Sequence, residues 1–258
     1  MNEELIQHRD DLWARWATEP HPGKRMEIID DALCPPEPQL LDTCVLQNLD
    51  WIDRRRAAGE STWDEKSVEE LTRRYGEGLA NDLLDLGTLY TTFEDRSGYP
   101  WLVCNAALDE ARLLQGEKGE RLRQMIEFLS EHQDTWCADT YPGIAKGLLT
   151  TARGCRVSPL ILKALGVKSA DEVSKPSGPL AFLPDHGDRL IAAHALLANI
   201  PVVLTTDHRT FWERRDQLLP LGVRVMRPGE LLDLYEPYWA ALETEFARRQ
   251  GRAHPRIG

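Results

Sequence analysis

The sequence predicts an α/β protein whose central, mainly parallel sheet is covered by helices on both faces, a three-layer α/β/α arrangement. Three observations carry this. Short apolar runs alternate with helix-period patterns along much of the chain. The clearest run, Ile200 to Leu204, is continuous and β-branched, as strands buried on both faces are. In the last third the joining loops are short and built from turn residues, as in successive strand–helix units. Composition agrees: 258 residues, 42% hydrophobic and 28% charged, have enough apolar content for a real core.

The elements follow in order. Residues 1–36 read as a helical arm, Glu3 to about Trp16, followed by a turn-rich connector containing "EPHPGK" and "CPPEP". In "QLLDTCVLQNLDWIDRRR" a short apolar run ends at Asp42, and Val45, Leu46, Leu49 and Ile52 then recur at helical spacing. Two helices are expected between Lys66 and Phe93, a turn at "EDRSGYP", a second strand over Trp101 to Cys104, and a helix from about Asn105 to Gln115. Another helix covers Gly119 to Ser130. From Cys137 to Gly178 the pattern weakens to helical pieces near Ile144 to Ala152 and Pro159 to Leu165, closed by the turn-rich linker "SKPSGP". "DHGDRLIAAHALLAN" is a helix, "IPVVLTTD" a strand and "RTFWERRDQLL" a helix. "LGVRVMRPGELLDLY" is an edge strand followed by a helix that Pro228 opens. Residues 37–236 thus form the main domain, and 237–258 an exposed helix and frayed tail.

Charge and cysteine usage narrow the function. The opening "MNEELIQHRDD" is acidic and amphipathic where a secretory leader has a basic flank and an apolar block. The uncharged stretch Leu190 to Thr206 is broken by His194, Asn199 and Pro201, so no membrane span is expected. Five scattered cysteines without a C-x-x-C give neither a disulfide framework nor a thiolate zinc site, and a cytoplasmic location fits them. A net charge of −11 argues against bulk electrostatic binding of nucleic acid. Between Thr140 and Ala170, however, there is no acid, while Lys146, Arg153, Arg156, Lys163 and Lys168 are basic. That segment is either a set of solvated helix faces or a phosphate-binding patch.

The acids carry the chemistry. Asp42 and Asp207 each follow a buried-looking run directly, which in a parallel sheet places both at the carboxyl edge, where open α/β sheets bind ligands. Either can instead be a turn residue, and Asp207 the N-cap of the next helix. Asp188 opens a helix, where an acid serves as cap or dipole partner, yet the same position aims it at the sheet edge. Asp185 stands close enough to be an alternative third acid. Glu110 shares a helical face with Ala107, Leu113 and Leu114, which turns it toward the packed side, whereas Asp109 falls beside Asn105 and Arg112. Four carboxylates gathered at one edge repel one another unless a divalent cation sits among them. Oxygen-only ligands select Mg²⁺ or Mn²⁺ over Zn²⁺. Such ions support hydrolysis of a phosphodiester.

With these residues in view, "LLDTCVL", "VCNAALDEARLL", "GDRLIAAHALLANIPVVLTTDHRTF" and "GVRVMRPGELL" resemble the PIN-domain family of metal-dependent nucleases, which act mostly on RNA. The resemblance spans about Gln39 to Leu234 and carries enlarged stretches at Gly59 to Gly98 and Gly116 to Gly178. It implies a PIN-like fold and an endoribonuclease that uses Mg²⁺ or Mn²⁺. Asp42, Glu110, Asp188 and Asp207 fall on its four acidic, catalytic positions. Thr43 matches its usual D-T start, and Thr205 the hydroxyl residue that supports the last acid. Arg209 and the basic residues Lys146, Arg153 and Arg156 are assigned to the substrate backbone. Toxin-like members pair with an antitoxin protein, so such a partner is implied alongside RNA, and two-fold assembly is the general expectation for soluble chains.

Other readings compete. A haloacid-dehalogenase nucleophile motif needs a second Asp two residues after the first, where Cys44 stands. His194 reads as a satisfied core histidine, His208 as an exposed residue beside Asp207, and Trp212, Arg214 and Arg215 as a surface helix. The chief functional alternative is a catalytically inactive PIN-fold scaffold that binds RNA or protein.

Overall fold

The computed structural model describes residues 3–32, 38–60, 65–96, 101–140 and 159–252. The chain divides into two compact units, residues 37–229 and residues 1–36 together with 230–258.

The larger unit is α/β. Its four parallel strands are β1 (Gln39–Leu41), β2 (Trp101–Leu102), β3 (Val202–Leu204) and β4 (Arg224–Met226), in the order β2-β1-β3-β4. Its register pairs Leu40 with both Leu102 and Val203, and Val203 with Val225. Because side chains alternate across a strand, these four share one face. They pack there with Ile191, Ala192, Ala195 and Leu196 of α9 (His186–Ala198) and with Phe211 and Leu218 of α10 (Phe211–Leu218). The other face carries α3 (Thr43–Ala57), which packs on α5 (Glu77–Arg96) and α7 (Gly116–Thr140). Trp101 of β2 lies buried there against the Tyr90 ring of α5, with centroids 6.3 Å apart. Helices on both faces around a parallel sheet make the expected three layers.

Several elements differ in extent from the sequence reading. The helix after β2, α6, spans Asn105–Leu113 and ends before Gln115, whereas α7 begins at Gly116 and runs past Ser130 to Thr140. Helix α5 continues through Glu94 to Arg96, into the expected "EDRSGYP" turn, whose last four residues lie outside the described residues. The helical piece expected at Ile144 to Ala152 also lies outside them, while α8 covers Pro159–Ala164. The "SKPSGP" stretch forms turns, as expected, and is anchored by the residues on either side of it. Val173, Leu180 and Leu183 are buried in the α9 core. Arg189 pins the stretch by donating to the carbonyls of Ser174 (3.0 Å), Leu183 (2.7 Å) and Pro184 (2.9 Å). Asn199, at φ 56°, ends α9 in the left-handed conformation and turns the chain into β3.

The smaller unit is helical. The connector after α1 (Glu3–Thr18) holds a further helix, α2 (Pro22–Ala32), that the sequence reading missed. Pro22 and Gly23 look like breakers, yet proline at the first helical position is pre-set for a helix and gives up only an amide that has no partner there. The C-terminal segment is no separate element either: α11 runs unbroken over Pro228–Arg252. It buries Ala241 and Glu245, and Glu245 takes the guanidinium of Arg25 as well as that of Arg248, the latter at 2.9 Å. Burial works against the Glu245 charge, but the two guanidiniums outweigh it and hold the carboxyl below its usual range.

Candidate functional site at the carboxyl edge

The site follows from the register. Leu41 pairs with Leu204, so the residues that leave β1 and β3 lie side by side, and the Asp42 amide donates to the Leu204 carbonyl at 3.0 Å. From β1 the chain goes on to β2, and from β3 it goes on to β4, on the opposite side. The gap between β1 and β3 is therefore a topological switch point, the place where open parallel sheets form a ligand crevice. Asp42 and the run Thr205–Asp207 border it.

Asp42, 5% exposed, precedes α3. Its Oδ2 accepts the Thr205 hydroxyl at 2.7 Å and the Cys44 thiol at 2.9 Å. Burial pushes its pKa up, the Cys44 and Thr205 bonds oppose this, and the Asp207 charge raises it further. The thiol in turn accepts the amide and hydroxyl of Thr206 at 3.3 and 3.2 Å, and Asn48 donates to that hydroxyl at 2.8 Å. Donors thus run in sequence from Asn48 through Thr206 and Cys44 to Asp42. Burial, then the Asp42 charge, push the Cys44 thiol well above its ordinary range, so it stays a protonated donor. The Thr43 amide is among the groups that lower the Asp42 pKa. The buried Thr43 hydroxyl has no partner among the described residues, so the hydroxyl contributes nothing to the acid. Thr205 joins the two sides: its hydroxyl donates to Asp42 and accepts the Asp207 amide at 2.9 Å.

Asp207 is both an edge acid and the anchor of the turn into α10. Its Oδ1 accepts the Arg209 amide at 3.0 Å, and its Oδ2 accepts the Thr210 amide at 2.7 Å and the Thr210 hydroxyl. Burial opposes the charge, but these bonds prevail and lower its pKa. Asp185, rather than Asp188, caps α9, accepting the amides of Gly187 and Asp188 at 2.7 and 3.3 Å. Asp188 is free of that duty. Burial is the main cause of its rise to about 6. The Thr210 hydroxyl opposes the rise, and the charges of Asp42, Asp185 and Asp207 add to it. Its Oδ2 is buried without a partner among the described residues.

Glu110 arrives by another route. Helix α6 ends at Leu113, which is 82% exposed, so of the face expected to be packed Ala107 is buried and Leu113 is not; Ala106 and Ala111 are buried beside it. Half-buried, Glu110 lies against the first turn of α9, where a Cβ on Gly187 would overlap its Oε1. Glycine is what lets the two approach. Both Asp42 and Glu110 act on Cys104, whose thiol burial pushes up to about 11.

Asp42, Asp188 and Asp207 therefore lie in one another's field, with Glu110 packed beside the helix that carries Asp188. Among the described residues no Lys, Arg or His side chain pairs with these three aspartates, and no three His, Cys, Asp or Glu side chains form a ready-made ion site. Their oxygens face local donors. The donor set still suits a hard cation: carboxylates that raise one another's pKa, and a buried oxygen on Asp188 with no partner among the described residues.

Of the residues assigned to substrate, Arg209 is exposed beside Asp207, and Lys146, Arg153 and Arg156 lie outside the described residues. His208 is not a free surface group. Its Nε2 meets Asp82 of α5 at 2.9 Å, and Arg227 pairs with the same carboxylate at 2.9 Å. His194 is only half satisfied: Nδ1 meets the Leu190 carbonyl at 2.7 Å, Nε2 has no partner among the described residues, and burial lowers its pKa. Trp212 is half-buried against the core, with the Arg215 guanidinium 4.2 Å over its ring.

Sequence reasoning missed Thr210, Asn48, Thr206 and Asp82. Asp82 had a signal, an acid between Leu79 and Leu86 on the apolar stripe of α5. Asn48 and Thr206 had none, because only the fold brings them together. The comparisons give no further guide, since no protein-family model, curated protein or solved structure matches the chain.

Proposed function

We propose that the chain is a metal-dependent endoribonuclease that hydrolyses RNA phosphodiesters at the carboxyl edge of its sheet, through Asp42, Glu110, Asp188 and Asp207. The observation that carries this is Asp188: a carboxyl raised to about 6, with one buried oxygen unpartnered among the described residues and two further acids, Asp42 and Asp207, adding their charge. Leaving such a cluster without a cation is unfavourable. The resemblance of its strand-end and helix-start motifs to PIN-domain nucleases points the same way. Mg²⁺ or Mn²⁺ bound there would activate a water and neutralise charge developing on the phosphate.

The chain's own residues have separate tasks. Thr205 fixes Asp42 and the Asp207 backbone through one hydroxyl. Cys44, as a thiol, orients Asp42 without adding charge. Arg209, exposed next to Asp207, is placed to meet a phosphate of the substrate backbone.

The test is cleavage of structured and single-stranded RNAs by the purified chain with Mn²⁺, with EDTA and Asp207→Asn as controls. Products that need the metal and vanish in the variant support the proposal. A second reading is a scaffold of the same fold that hydrolyses nothing. It is favoured by the local bonds of Asp207, which suffice for a turn acid. Calorimetry separates the two, because a scaffold shows no Mn²⁺ binding that depends on Asp42 and Asp207.

A further inference from the structure

Helix α4 (Glu65–Tyr75) and α5 are joined through a single residue, Gly76, whose φ of 81° turns the chain in the left-handed region. The turn is docked on the carboxyl edge. The Gly78 carbonyl accepts the Arg227 guanidinium at 3.0 Å, and a Cβ on Gly78 would come within 3.1 Å of the His208 ring. His208 follows Asp207 in the chain, and Asp82, one turn along α5, takes both His208 and Arg227 at 2.9 Å. Tyr75 precedes Gly78 by three residues, so its Cα lies at most about 11 Å from a residue that meets the Asp207 loop.

Arg73, Arg74 and Tyr75 are exposed in succession, and the Arg74 guanidinium lies 5.1 Å over the Tyr75 ring. Glu69 and Glu70 stand four residues before the two arginines, a spacing that allows ion pairs on a helix, and Glu77 just after the turn. Yet among the described residues no carboxylate pairs with either arginine. With a net charge of −11 the chain has no bulk attraction for RNA, so local groups must hold it. An exposed ring beside two guanidiniums offers both a stacking surface for a base and partners for phosphate.

We propose that Arg73, Arg74 and Tyr75 form a binding site for single-stranded RNA beside the cleavage edge, in which an unpaired base stacks on the Tyr75–Arg74 pair and the adjoining phosphates meet the two guanidiniums. This rests on the nuclease reading above and names the form of RNA it acts on. Bases inside a duplex are covered by their stacked neighbours, so only an unpaired strand can use the ring. The clasp of Gly78, Asp82, His208 and Arg227 fixes the turn relative to the Asp207 loop, which gives the enlarged stretch Gly59 to Gly98 a task in holding substrate.

The experiment is fluorescence anisotropy with the full chain in EDTA, which prevents cleavage, using a short labelled single-stranded RNA and the same RNA annealed to its complement. Wild type is expected to prefer the single strand. Tyr75→Leu keeps an apolar side chain at an exposed position, so the fold survives, and is expected to bind the single strand about tenfold more weakly. Tyr75→Trp restores a ring and is expected to stay within about twofold of wild type. Arg73→Gln is expected to weaken binding and flatten its salt dependence, by the loss of a phosphate contact. If Tyr75→Leu binds single-stranded RNA as tightly as wild type, or if wild type binds neither form or prefers the duplex, the site is overturned, while Mn²⁺ binding that needs Asp42 leaves the nuclease reading standing. If Tyr75→Leu loses RNA binding but wild type cuts no RNA with Mn²⁺, the nuclease reading falls and the RNA site stands as that of a scaffold.

Discussion

Two acidic centres of the α/β unit handle buried charge in opposite ways. Asp82, 2% exposed, lies against Arg227 and His208, with the Arg227 guanidinium also donating to the Gly78 carbonyl at 3.0 Å. Burial raises its pKa, and Arg227 first among its partners works against the rise. At the carboxyl edge the partners of Asp42, Asp188 and Asp207 are hydroxyls, a thiol and backbone amides, and their charged neighbours are other acids. The first centre is electrically closed: it ties α5 to the loop after β3 and to the end of β4. In the second, the described residues offer no pairing cation. Buried carboxylates are kept where a cation pairs with them, and among the described residues one stands at Asp82 but none at the edge.

If that contrast is right, removing charge has opposite consequences in the two places. Arg227→Met leaves Asp82 buried beside a lone histidine and should destabilise the fold by about 3 kcal/mol, read by urea unfolding, while the folded protein still binds Mn²⁺. Asp42→Asn should abolish Mn²⁺ binding and lower RNA cleavage by a factor on the order of 10² or more, with the chain still folded. Thr205→Val removes the hydroxyl shared by Asp42 and the Asp207 amide, and should weaken Mn²⁺ binding by about tenfold, measured by calorimetry.

The smallest effect sharpens the comparison most. Asp188 has a folded pKa of about 6 against an ordinary 3.8, so the fold binds its proton more tightly than the unfolded chain does. Its contribution therefore favours the fold at low pH and is lost as pH rises through about 6. In EDTA the melting temperature should rise as pH falls from 7 toward 5. Asp207, whose pKa is lowered, opposes this only near and below 3.8. At pH 7.5 in EDTA, Asp188→Asn should melt about 2 °C higher than wild type and lose that rise on acidification. A melting temperature that falls between pH 7 and 5, or that Asp188→Asn leaves unchanged in slope, would remove the edge acids' repulsion from the account.

Much of this architecture was legible in the sequence because it rests on local pattern. The β-branched run before Asp207 and the helical spacing after Asp42 identified β3 and α3. Two strand-end acids, Asp42 and Asp207, then implied a shared edge. What was not legible depended on contacts far apart in sequence. The Cys44–Thr206–Asn48 chain exists only because β1 and β3 are neighbours in register. The division of labour between Asp185 and Asp188 was hidden because both stand at a helix start, and only the cap geometry of α9 separates them. Glu110 does turn toward a packed neighbour, α9, but Leu113, expected on the same face, is exposed because α6 ends there and no further turn covers it. Helix α2 was missed for a local reason, the reading of Pro22 as a breaker rather than a start.

The central claim is that the carboxyl edge holds a divalent cation among Asp42, Asp188 and Asp207. The most direct measurement is a crystal structure grown with Mn²⁺, with diffraction recorded on both sides of the manganese absorption edge. The account predicts an anomalous difference peak bonded to oxygens of Asp42 and Asp207, with Asp188 or Glu110 beside it, and none at Asp82. An edge without a peak, its carboxylates still turned onto Thr205, Cys44 and the Arg209 and Thr210 amides, would contradict it.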